Sequence, residues 1–398
     1  MLESHFPVIQ PEILRPRSGS LVSVPLLDLA RQYAGIREEV LAAIERVCAS
    51  QQFVLGPEVE ALEREIAAFV GAKEAVACAS GTDALWLALV AAGVGSGDRV
   101  ITTPFSFFAS ASSIVRAGAE PVFVDVDPQT LNLDPAQVKL ALRADGNVRA
   151  ILPVHLYGQC ADWDALQKVA DEFGIPLIED AAQAIGAKWG DRAAGSLGIS
   201  AAFSFYPTKN LSAYGDAGIV TTQESARAEQ MRRLRNHGSP ERYLHTEFGW
   251  NARMDAIQAA VLRVKLKHIN KWNQQRRERA VTYDRLLSHA GLISADSEAP
   301  VRRLHTSPQA FHVFHQYVIR LERRDELRKF LATRGIGTEV YYPIPLHVQP
   351  AFNYLGYKEG DLPESERAAK EVLALPMFPE LTEEEQRVVV QGIAEFFS

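Results

Sequence analysis

Cysteine is scarce in this chain of 398 residues, with only Cys48, Cys78 and Cys160. An odd count at wide spacing, with no C-x-x-C, excludes a disulfide framework and fits a reducing compartment. No Cys/His cluster has ligand spacing, so no metal site is expected. An excess of basic charge is also missing: 42 Lys+Arg stand against 49 Asp+Glu, a formal net charge of -7. General nucleic-acid binders carry a basic field, so no nucleic-acid partner is expected. One small anion in a local amide-lined pocket stays open. No apolar run is long enough to span a bilayer, and no membrane association is expected. Residues 1–23 are Pro/Ser-rich with Arg15 and Arg17, and lack the continuous apolar segment of a signal peptide. They read as an N-terminal extension, and the chain reads as cytoplasmic.

What is present is the balance of a folded protein, 47% hydrophobic and 23% charged. The length suggests two domains. Helical patterning begins near Asp28 and resumes at Pro57, which suits a first helical turn, with Gly71 suited to the end. Short β-rich runs follow at 74–80, 98–104, 119–126, 148–155 and 175–180, with helical patterns between them. This alternation predicts a mostly parallel sheet covered by helices. Two further strands are expected at 200–207 and 216–222. A long bridging helix is expected from Met254 towards Leu287, then a strand at 312–321, a helix at 323–335 and a strand at 336–345. The expected division is a large domain, 24–252, and a bridging helix with a smaller α+β domain, 253–398.

Three segments carry chemistry. Gly81 and Thr82 follow a strand and open a helix, where free backbone N–H groups and the helix dipole can hold a phosphate. Ser80 or Thr82 would equally serve as a plain helix cap. Asp180 ends an apolar strand, where α/β sheets put their ligands; there it could hold a proton on a heteroaromatic nitrogen, or cap the next helix. Lys209 lies in a Pro-containing loop after the aromatic strand that carries Ser204. A lysine held among apolar groups has a lowered pKa and can form a Schiff base, whereas most lysines are solvated surface charges. Each has an ordinary structural account alone. Together, a lysine, an acid and a phosphate cradle are what pyridoxal phosphate requires.

The run of motifs ASGTDAL, TTPFSFFAS, PVFVDVDPQTLNLDP, PVHLYGQ, LIEDAAQAIGA, FSFYPTKNLSAYGDAGIV, RNHGS, GWNARMDAIQAAVL, HQYVIR, YYPIPLHVQPAF and LALPMFPELTEEE resembles the DegT/DnrJ/EryC1/StrS family of pyridoxal-phosphate-dependent sugar aminotransferases. The resemblance extends from about Val24 to near the C-terminus. It implies the aspartate aminotransferase (type I) fold, an α/β architecture with a large mostly parallel sheet domain and a smaller α+β domain. By resemblance, Lys209 matches the Schiff-base lysine and Asp180 the partner of the pyridine nitrogen. Gln183 matches the position beside the phenolic oxygen, and Phe107 the aromatic stacked on the ring. Gly81, Thr82 and Ser204 match phosphate contacts. Asn251 resembles a residue that reaches the cofactor phosphate of the neighbouring subunit, so a homodimer with shared sites is implied. Its ordinary alternative is to cap its own helix.

Tyr342 and His347 could reach a sugar or pyrophosphate, although a loop histidine is commonly structural. His155 and Tyr157 could line the same cleft, Tyr157 more by packing. Arg232, Arg233 and Arg235 could meet a diphosphate or form a solvated helix face. The implied reaction moves an amino group from an amino acid, with L-glutamate giving 2-oxoglutarate, to a 3-keto or 4-keto sugar carried on a nucleoside diphosphate. A relative that dehydrates keto sugars would carry histidine in place of Lys209. A non-catalytic regulator on the same fold is the alternative from another class.

Overall fold

The computed structural model describes residues 23–294 and 299–398. The extension expected at 1–23 lies, apart from Ser23, outside the described residues. Among the described residues, seven strands make the central sheet: β1 (Glu74–Cys78), β2 (Arg99–Thr102), β3 (Glu120–Phe123), β4 (Val148–Leu152), β5 (Ile178–Asp180), β6 (Ser200–Ser204) and β7 (Gly218–Thr222). They lie side by side in the order β1-β7-β6-β5-β4-β2-β3. The parallel bridges Ile151↔Leu177 and Val154↔Asp180 join the two halves between β4 and β5. Only β7 runs antiparallel to its neighbours, β1 and β6. The strands are apolar on both sides because helices cover both faces, the arrangement that parallel sheets require.

Local chemistry starts and stops the covering helices. Asp28 accepts from the N–H groups of Ala30 and Arg31 and caps Leu29–Ala34. Pro57 opens Pro57–Val70, and Gly71 closes it at φ 74° in the left-handed region. Asp162 accepts from Ala165 N–H to start Trp163–Phe173.

The C-terminal part has its own core. It is built on a three-stranded antiparallel sheet, Arg302–Arg303, Tyr317–Arg320 and Val372–Leu375, with Leu327, Leu331, Val389 and Ile393 packed against it. Thr382 and Glu385 form a reciprocal capping box that starts Glu383–Phe397. Val24 joins this core through its bridge to Ile336.

The structure corrects three expectations. The long helix is two, Ala256–Leu266 and Ile269–His289, separated by a turn in which His268 N–H bonds Lys265 O at 2.9 Å. The first piece packs into the sheet's core through Val261 and Leu262. The second starts on that same core through Ile269 and Trp272 and goes on to deliver Ala280, Tyr283 and Leu287 to the C-terminal core. The strand expected at 336–345 is reduced to single bridges, Val24↔Ile336 and Glu339↔Ala374, because Gly337 is pressed against Leu26 and Pro25 and prolines follow. The strand expected at 312–321 begins only at Tyr317, since Val313 to His315 curl towards the loop after Lys209. Among the described residues no helix is long and apolar enough to cross a membrane, and no His/Cys/Asp/Glu group could hold a metal.

Candidate active site

The carboxyl ends of β1, β2, β5 and β6 converge on a cavity of about 600 Å³. Gly81, Thr82, Phe107, Asp180, Gln183, Ser204, Lys209 and Tyr342, eight of the residues singled out from the sequence, line it. A second cavity of about 740 Å³ lies beside Arg302, Arg303 and Arg320. These three arginines are already paired with Glu371 and Asp284, and none of the residues singled out lines it.

Asp180 is 3% exposed and gripped by its backbone, with its N–H on Pro153 O and its C=O accepting from His155 N–H. Its carboxylate accepts from Ser110 Oγ at 2.7 Å and from Ala182 N–H at 3.2 Å. Burial raises its pKa. The Ser110 hydrogen bond opposes this most, followed by the Ala182 N–H and the charge of Lys209. Beneath it, the buried Glu179 carboxylate accepts from the N–H groups of Gly195, Leu197 and Gly198. His155 Nδ1 accepts from Ala161 N–H, so its Nε2–H donates to Glu179 at 3.1 Å. This corrects the reading of His155 as cleft-lining: it is fully buried and braces Glu179, the residue before Asp180.

Lys209 follows a tight turn in which its N–H bonds Tyr206 O at 2.8 Å. Desolvation in the cavity lowers its ammonium pKa to about 8, with the charge of Asp180 pulling the other way.

Opposite, Ser80 caps the helix Gly81–Ala91 by accepting from Asp83 N–H at 3.1 Å. The N–H groups of Gly81 and Thr82 stand at its mouth. A Cβ at Gly81 would lie 2.6 Å from Ser204 Cβ, and one at Gly218 would lie 2.3 Å from Ser80 O. Only glycine lets this helix end sit on the ends of β6 and β7, leaving a cradle of backbone amides.

Gln183 has a fixed orientation. Its Oε1 accepts from Tyr157 N–H at 2.6 Å and its Nε2 donates to Tyr342 Oη at 3.0 Å. One Nε2 hydrogen is left for another acceptor. Tyr157 is buried and packs rather than lining the cavity, with its hydroxyl on Tyr341 O. Phe107 is 60% exposed at the cavity's rim, its ring 6.3 Å from that of Tyr342.

Others singled out from the sequence also lie elsewhere. His347 is fully buried with Nε2 on Glu366 Oε1 at 3.0 Å, so it does not face the cavity. Asn251 is exposed, bridged to Asn236. It does not cap the following helix, whose N-cap is Asp255. Arg232, Arg233 and Arg235 are paired with Glu74, Glu247 and Glu63. Cavity residues that sequence reasoning missed include Ser106, Ser110, Arg276 and His315. The i, i+4 spacing of Ser106 and Ser110 beside Phe107 is the one signal that could have drawn attention to them.

The profile of the DegT/DnrJ/EryC1/StrS aminotransferase family matches residues 34–394. A pleiotropic regulatory protein of Geobacillus stearothermophilus is 52% identical over 378 residues, covering 94% of this chain and 99% of that protein. A dTDP-3-amino-3,4,6-trideoxy-alpha-D-glucose transaminase of Streptomyces venezuelae is 44% identical over 373 residues, covering 94% of this chain and 96% of the relative. The crystal structure of S. venezuelae DesV in complex with a ketimine intermediate matches with a TM-score of 0.89 at 43% identity, covering 94% of this chain and 98% of that one. Sequence and fold agree over nearly the whole length, and the chain belongs to the DegT/DnrJ/EryC1/StrS aminotransferase family.

Proposed function

We propose that the cavity holds pyridoxal phosphate and that the protein transfers an amino group from L-glutamate to a 3-keto or 4-keto sugar carried on a nucleoside diphosphate. The observation that carries this reading is that Lys209 and Asp180 share one cavity with a glycine-built helix mouth. The donor set fits the cofactor: backbone amides and hydroxyls suit a phosphate, and a buried carboxylate suits a ring nitrogen that must stay protonated. When bound, pyridoxal phosphate supplies a carbonyl that condenses with amines and a ring that takes up an electron pair from the carbon being deprotonated.

The protein's own groups do the rest. The N–H groups of Gly81 and Thr82, with the hydroxyls of Thr82 and Ser204, hold the phosphate. Asp180 holds a proton on the ring nitrogen through a charge-assisted hydrogen bond. The free N–H of Gln183 Nε2 would be the donor available to the phenolic oxygen, and Phe107, at the rim, would cover the ring and exclude water. Lys209, its amine desolvated in the cavity, removes the donor's Cα proton at Nζ. In the second half-reaction it delivers a proton from Nζ to the former keto carbon of the sugar. Tyr342, in contact with Gln183, borders the space left for the substrate. Asn251, exposed and outside its own cavity, serves the phosphate of a second copy in a homodimer.

The relatives support the class. One at 44% identity is named as a transaminase of a dTDP-linked amino sugar. A second reading, a regulator without catalysis, is favoured by the name of the Geobacillus relative. Retention of Asp180, Ser204 and Lys209 together stands against it, and a lysine rather than histidine at 209 stands against the dehydratase branch. The test is to add pyridoxal phosphate to the purified protein, reduce with borohydride and map the peptides. A pyridoxyl mass on Lys209 is expected; a mass elsewhere, or none, overturns the reading.

A further inference from the structure

We propose that Ser106 and Ser110 form a two-hydroxyl relay that aims Asp180 at the ring nitrogen of the cofactor, which makes them positioning residues of the reaction. The inference rests on the reading of the cavity as a pyridoxal-phosphate site. Ser110 Oγ donates to Asp180 Oδ2 at 2.7 Å, and Ser106 Oγ lies 2.8 Å from Ser110 Oγ. The two serines are 3% and 1% exposed and line the cavity wall. Each hydroxyl has one proton, and an ionised carboxylate only accepts. The Ser110 proton is therefore committed to Asp180, and Ser106 must be the donor to Ser110. A chain with one direction polarises along its length and strengthens its last bond.

Among the described residues, these two hydroxyls bond each other and Asp180. Ser110 sits in the first turn of Ala109–Arg116, where serine commonly bonds nearby backbone. Yet this helix has Phe108 at its N-cap and no side-chain cap bond, and the Ser110 hydroxyl goes instead to a carboxylate 70 residues away. The same short segment carries Phe107 to the cavity's rim, so one loop both covers the ring and aims the acid beneath it. The groups facing Asp180 from the surrounding elements are Lys209 from the loop after β6, His155 from the end of β4, and Tyr342. Against burial, the Ser110 bond is the strongest influence keeping Asp180 ionised.

The test loads the wild type, Ser110→Ala, Ser110→Cys, Ser110→Thr and Ser106→Ala with ring-15N-labelled pyridoxal phosphate. The ring-nitrogen chemical shift is followed against pH, alongside kcat and KM. In the wild type the nitrogen is expected to be protonated. Ser110→Ala, and Ser110→Cys with its weaker donor, should move the shift towards the unprotonated form. Their kcat should fall about tenfold or more, the loss expected for a hydrogen bond to a charged group, with KM for the sugar unchanged. Ser110→Thr should restore both, and Ser106→Ala should fall between. Variants that bind cofactor with the wild-type shift and pH profile overturn the relay while leaving the cofactor reading intact. A wild type that takes up no cofactor overturns that reading, and the relay with it.

Discussion

The side-chain amide of Asn210 donates to the side-chain Oδ1 of Asn273 over 2.8 Å, fastening the residue after Lys209 to the helix Ile269–His289. Asn210 also donates to Val313 O at 3.2 Å, which leaves its Oδ1 to accept from His315 Nδ1 at 3.2 Å. Asn273 in turn donates to Ile185 O at 2.9 Å. One buried amide pair thus ties the reactive loop, the segment after Asp180 and the C-terminal half together. Asn273→Leu should cost about 1–3 kcal/mol of stability by leaving buried polar groups unpaired, and should lower kcat as the Lys209 loop loosens. Thermal melting together with steady-state rates checks this. A stable variant with full kcat would show that the bond does not position Lys209.

Asp180→Asn should reduce turnover by orders of magnitude while the fold persists. Ser110 and Ala182 donate to different oxygens of the carboxylate; the amide oxygen can keep the Ala182 N–H while the amide N–H donates to the Ser110 hydroxyl, so packing survives. A neutral amide cannot hold a positive ring nitrogen, so the electron sink weakens. Circular dichroism and 2-oxoglutarate release decide the matter, and unchanged turnover would reduce Asp180 to a structural residue.

In the cofactor-free protein Lys209 should react as an amine with a pKa of about 8 rather than the ordinary 10.5. Lowering the pKa makes the neutral, nucleophilic form available at lower pH. Acylation of Lys209, read by mass spectrometry of its peptide, should be half-maximal near that pH. Asp180→Asn removes the charge that raises this pKa, so its midpoint should move lower still. A midpoint at the pH of surface lysines would contradict the desolvation argument.

Asn251 should complete the site of a second copy. Lys209→Ala and Asn251→Ala proteins, mixed under conditions that exchange subunits, should regain activity above either parent, because one pocket then carries both lesions and the other neither. If exchange is verified and activity stays flat, Asn251 does not act across an interface.

Much of this was legible because parallel strands bury both faces and so stand out as short apolar runs. The polar residues at their ends, Ser80, Asp180 and Ser204, are then where ligands gather. The insertion of β7 between β1 and β6 was not legible, since strand order depends on pairing between segments far apart in the chain. The break at His268 was hidden because apolar patterning runs on through it: Ile269 and Trp272 after the break pack on the same core as Val261 and Leu262 before it. His347 misled because its partner, Glu366, comes from another helix. Ser110 escaped notice because a serine looks ordinary until the fold brings Asp180 to it.

The central claim is amino transfer to a nucleotide-linked keto sugar, and transfer of labelled nitrogen tests it most directly. Purified protein with pyridoxal phosphate and [15N]glutamate is offered dTDP-, UDP- and GDP-linked 3-keto and 4-keto sugars, and products are read by mass spectrometry. The account predicts a 15N-amino sugar from at least one of them, absent with Lys209→Ala. No labelled sugar from any acceptor, in protein shown to carry the cofactor on Lys209, would contradict it.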